Sequence, residues 1–138
     1  MAIRRKLYLD TNVLITAFRG QDDAASRALR LLDDASVDFV VSDYLRLETL
    51  PKPSFLGRRE EVEFMQAFFA AAQVDVASDT QITRSAIDFA SRYDLQAMDA
   101  LHVVAATHAR ADAFITTEKT TKPLFRVTEV AVKSLLDA

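Results

Sequence analysis

Five short apolar runs, Leu7–Leu9, Phe39–Val41, Val74–Val76, Ala113–Thr116 and Arg126–Thr128, alternate with segments of helical spacing, and this alternation restricts the chain more than any other feature. Ala25, Ala28, Leu29 and Leu32 fall at i, i+3, i+4 and i+7 and form one apolar stripe. Val62, Met65, Phe69 and Ala72 form a second, and Ile82, Ala86, Phe89, Ala90 and Tyr93 a third. Met98 to His108 is apolar on nearly every side, as a buried helix is, and Val130, Ala131, Leu135 and Leu136 predict a short closing helix. Strands separated by helices favour a parallel sheet, because each crossover lays a helix over one face. The first, second and fourth runs alternate little, which suits strands buried on both sides. The expected class is therefore α/β: a Rossmann-like three-layer α/β/α sandwich around a central parallel sheet of about five strands. Pro51 and Pro53 in "LPKPSFLG" predict a loop between two helices, not a domain linker. With no internal repeat and no break in composition, residues 1–138 are expected to form one domain.

Half of the residues are apolar and only two are glycine, which allows a full core and argues against low-complexity disorder. There are no cysteines. Disulfide frameworks, thiolate zinc sites and cysteine nucleophiles are thereby excluded, and a reducing intracellular compartment is the natural expectation. Arg4, Arg5 and Lys6 imitate the start of a signal peptide, but Asp10 and Asn12 interrupt the apolar segment that should follow. No apolar run approaches the ~18 residues of a membrane span, so the expectation is a cytoplasmic protein with no membrane partner. The net charge is −3, with a pI near 5.3. That counts against coating nucleic acid by bulk electrostatics. It does not count against an enzyme whose acids hold cations, because bound divalent ions reverse the local field.

In an open parallel sheet, ligands bind beyond the carboxyl ends of the strands, so the acids that fall there carry the functional question. Asp10, in "KLYLDTNVLI", directly follows the first run and interrupts two core segments. A buried carboxylate needs a proton, a cation or a metal to compensate it. Glu118, in "FITTEK", closely follows the fourth run. Asp99, in "AMDALHVV", starts the apolar helix, where exposed amide groups favour an anion. Glu48, in "SDYLRLETL", lies on a helix that Ser42 is placed to cap, on the side of Tyr44 and Leu45. Any one of these acids alone reads as a solvated side chain or a helix cap; four set among apolar neighbours do not.

Taken together and in order, "LYLDTNVLI", the helical Glu48, "DALHVVAA" and "ADAFITTEK" resemble the PIN-domain family, including its VapC-type toxin ribonucleases, over essentially the whole chain. The resemblance implies a PIN-like fold. It also implies a metal-dependent endoribonuclease that hydrolyses RNA by water attack, as the toxin of a toxin–antitoxin pair. Position by position, Asp10, Glu48 and Asp99 correspond to the family's first three metal-binding acids. Glu118 stands where a fourth acid is found, most often Asp. Thr11 or Asn12, and Thr116, correspond to polar positions that support the acids or water. The implied cofactor is Mg²⁺ or Mn²⁺, and the implied partners are RNA, a small antitoxin and a second copy in a homodimer. The chemistry agrees: a carboxylate-held divalent ion activates water and stabilises charge on the scissile phosphate, and it relieves the repulsion among the acids.

Arg46 and Lys52 flank Glu48, and Lys119 and Lys122 follow Glu118; all four are candidates for contacts with substrate phosphates. His102 shares a helix face with Asp99. Its expected role is that of a core histidine, with proton transfer or phosphate contact as the sharper reading. His108 reads as a helix-end residue and Asp112 as a turn residue. Val62, Phe64, Met65, Phe68 and Phe69 form an apolar strip wider than one core stripe, which predicts an interface. Two other functions compete. A haloacid-dehalogenase-like phosphatase would use Asp10 as nucleophile, but it requires a second Asp where this chain has Asn12. A catalytically silent PIN-fold binding module is the other, and the presence of all four acids argues against it.

Overall fold

The computed structural model describes residues 3–137, so positions 1, 2 and 138 of the expected 1–138 domain lie outside the described residues. Five strands form one sheet: β1 (Arg5–Leu9), β2 (Val37–Ser42), β3 (Val74–Val76), β4 (Ala113–Thr116) and β5 (Val132–Ser134). All pairings are parallel, and the spatial order is β3-β2-β1-β4-β5. The chain winds outward from β1 to β3, then returns to the other side of β1 with β4. The switch point of the topology therefore lies between β1 and β4.

Helices cover both faces. Leu7 pairs with Phe39 in the β1–β2 register, and Phe39 meets Phe68 of α5 (Arg59–Ala71) edge to face with ring centroids 5.4 Å apart. Helices α1 (Thr11–Arg19) and α2 (Asp23–Leu32) pack on each other, and Phe18 of α1 meets Phe64 of α5. On the opposite face, Tyr8 stacks on Phe114 and packs against His102 of α7 (Ala97–His108), which α6 (Thr80–Tyr93) covers. The expected three-layer α/β/α order holds. No helix among the described residues is long and apolar enough to cross a membrane.

Where the structure departs from the sequence expectations, local packing explains why. Arg126–Thr128 is not a strand. Arg126 ends a 3₁₀ turn begun by Pro123, and the fifth strand is Val132–Ser134. The closing helix expected over Val130–Leu136 is absent for the same reason. Val130 and Ser134 are buried while Ala131 and Lys133 are exposed, a period of two that suits the open edge of β4. The "LPKPSFLG" segment contains a short helix, α4 (Pro51–Phe55). Both prolines sit in its first turn, where no main-chain N–H is required, and Gly57 leaves it at φ +68°. The apolar residues after Asn12 form α1, which the stripes did not reveal. On α2, Ala25 and Ala28 are buried as expected, but Leu29 is exposed and Leu31 packs on the core instead. The wide strip on α5 is largely absorbed by the chain's own fold. Met65 and Phe69 are buried, and Phe64 and Phe68 pack against the core. Leu47 of α3 (Asp43–Thr49), Phe55 at the end of α4 and Leu56 in the turn after it are large apolar side chains left exposed.

Candidate metal centre

Asp10 is the residue at which β1 ends and α1 begins. Its main-chain N–H donates to the carbonyl of Ile115 in β4 (2.9 Å), holding it at the switch point. Its carboxylate caps α1, accepting from the Thr11 N–H at Oδ1 (2.8 Å) and from the Thr116 hydroxyl at Oδ2 (3.1 Å). Thr116 in turn accepts from the Glu118 N–H (3.1 Å), so the end of β4 ties Asp10 to the Glu118 backbone. Only 6 % of Asp10 is exposed, and that burial pushes its carboxyl above the ordinary value; the Glu48 charge adds to the shift.

Glu48 arrives on α3 (Asp43–Thr49), which follows β2 directly. Ser42 starts that helix as expected, its hydroxyl accepting from the Leu45 N–H (3.2 Å). Glu48 Oε1 accepts from the Thr11 hydroxyl (2.8 Å) and bonds His102 Nε2. The His102 bond, with help from Thr11, holds the Glu48 carboxyl below its ordinary value despite partial burial. One ligand atom from each of Asp10, Glu48 and His102 lies within 4.8 Å of the other two.

Asp99 stands in the first turn of α7 and is half-buried. Burial, then the charges of Asp10, Glu118 and Glu48, raise its carboxyl above the ordinary value, so the four acids share one field. Asp99 and Glu118 line a cavity of about 370 Å³ together with Gln96, Lys122 and Leu124. Asp10, Glu48 and His102 thus form the tight group, and Asp99 and Glu118 face the adjoining cavity.

The remaining candidates are spread around this centre. Asn12 is exposed on the first turn of α1. Lys52, Lys119 and Lys122 are exposed, and no carboxylate among the described residues lies within ion-pair distance of them. Arg46 differs from the lysines. Its guanidinium makes a two-pronged contact with Asp75 of β3 (2.9 and 2.7 Å) and lies over the Phe69 ring. Its donors serve the contact between α3 and the sheet edge. His108 ends α7 as expected, and Asp112 accepts from the Lys6 N–H (2.7 Å), clipping the start of β4 to β1.

The sequence places His102 among core residues, with proton transfer or phosphate contact as the sharper reading, and marks Tyr8 only as part of an apolar run. His102 is indeed fully buried, but its bonding partner is a candidate metal ligand. The available signal was the three-residue spacing from Asp99; nothing local in the sequence tied it to Glu48.

The donors suit a hard divalent cation. All four acids offer carboxylate oxygens, the ligands preferred by Mg²⁺ and Mn²⁺. Burial and mutual charge hold two of the acids above their ordinary values, a condition that a cation relieves. Both hydrogen bonds to Glu48 use Oε1, which leaves Oε2 without a donor among the described residues.

Several solved structures share the fold. VapBC2 from Rickettsia felis bound to a promoter DNA fragment is similar over 94 % of this chain and 98 % of that chain, at 15 % identity and a TM-score of 0.71. VapBC from Salmonella typhimurium bound to DNA is similar over 95 % and 98 %, at 14 % identity and a TM-score of 0.67. A toxin–antitoxin complex from Klebsiella pneumoniae is similar over 91 % and 95 %, at 20 % identity and a TM-score of 0.62. Among curated proteins none matches the sequence. The PIN domain family matches residues 7–122, from inside β1 to the residue before the 3₁₀ turn, a span that holds all four acids. The chain belongs to the PIN domain family.

Proposed function

We propose that this chain is a Mg²⁺- or Mn²⁺-dependent endoribonuclease of VapC type, the toxin of a toxin–antitoxin pair acting in the cytoplasm. The observation that carries this reading is the meeting of Asp10 and Glu48 at the switch point of a PIN-domain sheet, with Asp99 and Glu118 beside them in one field. Asp10, Glu48, Asp99 and Glu118 would hold the ion. When bound, it supplies an activated water and stabilises charge on the scissile phosphate and leaving oxygen.

The chain's own groups do the rest. Thr11 and Thr116 fix both oxygens of Asp10, and the Thr11 hydroxyl also holds Glu48. One threonine therefore orients two acids. Lys122, beside the cavity of Asp99 and Glu118, and the nearby Lys119 offer charge for the RNA backbone, with Lys52 beyond Glu48. The antitoxin and a second copy of the chain are the proposed partners. The exposed Leu47, Phe55 and Leu56 on α3, α4 and the turn after them are apolar surface that a partner would cover. The phosphatase reading has no comparable support, since the position that should carry its second Asp is an exposed Asn12.

The test is a melting curve with and without millimolar Mg²⁺ or Mn²⁺, followed by cleavage of single-stranded RNA. Ions that bind the folded chain raise its melting temperature by mass action, and EDTA reverses the gain. A curve indifferent to both ions, with no cleavage of RNA, sinks the proposal.

A further inference from the structure

Behind Glu48 runs a buried chain of hydrogen bonds that the acid cluster does not account for. Ser42, Tyr8 and His102 are each fully buried, with no side-chain surface open to water. The Tyr8 hydroxyl lies 2.7 Å from Ser42 Oγ and 2.7 Å from His102 Nδ1, and His102 Nε2 bonds Glu48 Oε1. The Tyr8 ring is held by stacking on Phe114, with centroids 5.4 Å apart. Three elements, β1, the end of β2 and α7, thus converge on one oxygen of one acid.

The order of the protons in this chain follows from counting donors and acceptors. Ser42 Oγ accepts from the Leu45 N–H, and its other hydrogen-bond partner among the described residues is the Tyr8 hydroxyl. If Tyr8 donated to Ser42, the Ser42 proton would be buried without an acceptor among the described residues, an arrangement that native proteins avoid. Ser42 therefore donates to Tyr8, Tyr8 donates to His102 Nδ1, and the imidazole proton sits on Nε2, pointed at Glu48. A nitrogen that carries a proton has no lone pair for a metal. On this arrangement His102 holds the ligand; it is not itself a ligand.

From this geometry we infer that Tyr8 and His102 are positioning residues for Glu48. Together they lock Oε1 so that Oε2 is left as the donor to the ion. The inference rests on the metal-site reading above and extends it to residues that never touch the ion or the RNA. It also gives a reason for a buried histidine in the apolar middle of α7.

The test is Mn²⁺ titration of the whole chain by calorimetry, with melting in EDTA as the measure of folding. Wild type, His102→Leu, His102→Gln and Tyr8→Phe are compared. Losing an outer partner of a metal ligand commonly weakens metal binding by about 10- to 100-fold, and that is the loss expected for His102→Leu. His102→Gln places an amide N–H near the Nε2 position and should bind Mn²⁺ more tightly than His102→Leu. Tyr8→Phe removes one oxygen and touches neither Glu48 nor the ion, yet should weaken Mn²⁺ binding about 3- to 10-fold, less than the loss of the direct Glu48 partner. If His102→Leu does not fold, the other two variants carry the test alone. Wild-type Mn²⁺ affinity in Tyr8→Phe, with only the EDTA melting temperature lowered, overturns the inference and returns the chain to core packing. Binding lost in His102→Gln but kept in Tyr8→Phe overturns it in favour of a direct histidine ligand. Wild type that binds no Mn²⁺ overturns the metal site itself, a result distinguishable from both.

Discussion

The hydroxyl of Thr116 donates to Oδ2 of Asp10 at 3.1 Å, joining the last residue of β4 to the residue that follows β1. The two positions are 106 residues apart in the chain, and the sheet order makes them neighbours at its switch point. Thr116→Val keeps the shape and removes the hydroxyl. Asp10 Oδ2 and the Glu118 N–H both lose a partner, so the variant should lose about 1–3 kcal/mol, read by urea unfolding in EDTA. An unchanged midpoint would show that water replaces the hydroxyl without cost.

Phe68 and Phe55 separate core from surface among the aromatics of the helical layer. Phe68 meets both Phe39 and Phe69, whereas Phe55 is 86 % exposed. Phe68→Glu should therefore destabilise the chain by about 1–3 kcal/mol at any protein concentration. Phe55→Glu should leave the melting temperature within a degree or two of wild type and weaken any self-association seen by sedimentation. Equal stability of the two variants would contradict the packing of α5.

Lys122 sits beside Asp99 and Glu118 without an acidic partner among the described residues. If it meets an RNA phosphate, Lys122→Ala should weaken RNA binding across sequences and flatten its salt dependence by about 0.7 in log–log slope. Arg46→Ala serves as the contrast. Its guanidinium is spent on Asp75, so it should leave the salt slope unchanged. A slope unaltered by Lys122→Ala removes that lysine from the RNA path.

The parts of this fold legible in the sequence are those written in local pattern. β3 and β4 begin and end where the apolar runs do, and Ser42 caps α3 as its position implied. The acids were legible because Asp10 and Asp99 break apolar runs, which core segments do not do without cause. What escaped was set by pairing at a distance. The edge of β4 drew Val132–Ser134 into the sheet, although Leu135 and Leu136 suggested a helix. Arg46 stands beside Glu48 in sequence but points its charge at Asp75, a partner 29 residues on. The bond from His102 to Glu48 crosses 54 residues and depends on α3 and α7 meeting over the sheet.

The same reasoning gives Asp10 its sharpest test. Its folded carboxyl lies above the ordinary value of 3.8, chiefly through burial. The folded state then holds that proton more tightly than the unfolded state, so ionisation of Asp10 costs stability. The cost is absent well below pH 3.8, grows as pH rises through the folded value and levels off above it. Asp99, raised likewise, acts in the same direction. Glu48 acts oppositely, since its folded carboxyl lies below the ordinary 4.5; its contribution is present above that pH and is lost as pH falls through the folded value. Asp10→Asn keeps an oxygen to cap α1 and removes one charge. In EDTA its stability relative to wild type should rise with pH from about 4 upward, and at pH 7 it should melt at the same temperature or higher. With Mn²⁺ it should gain less than wild type and lose RNA cleavage by at least ~10²-fold. A purely structural cap predicts the opposite for Asp10→Ala: a loss of roughly 0.5–2 kcal/mol, the same with and without metal. If Asp10→Ala is destabilised equally in EDTA and Mn²⁺ and Asp10→Asn still cleaves RNA, Asp10 is only a helix cap and the metal centre lies elsewhere.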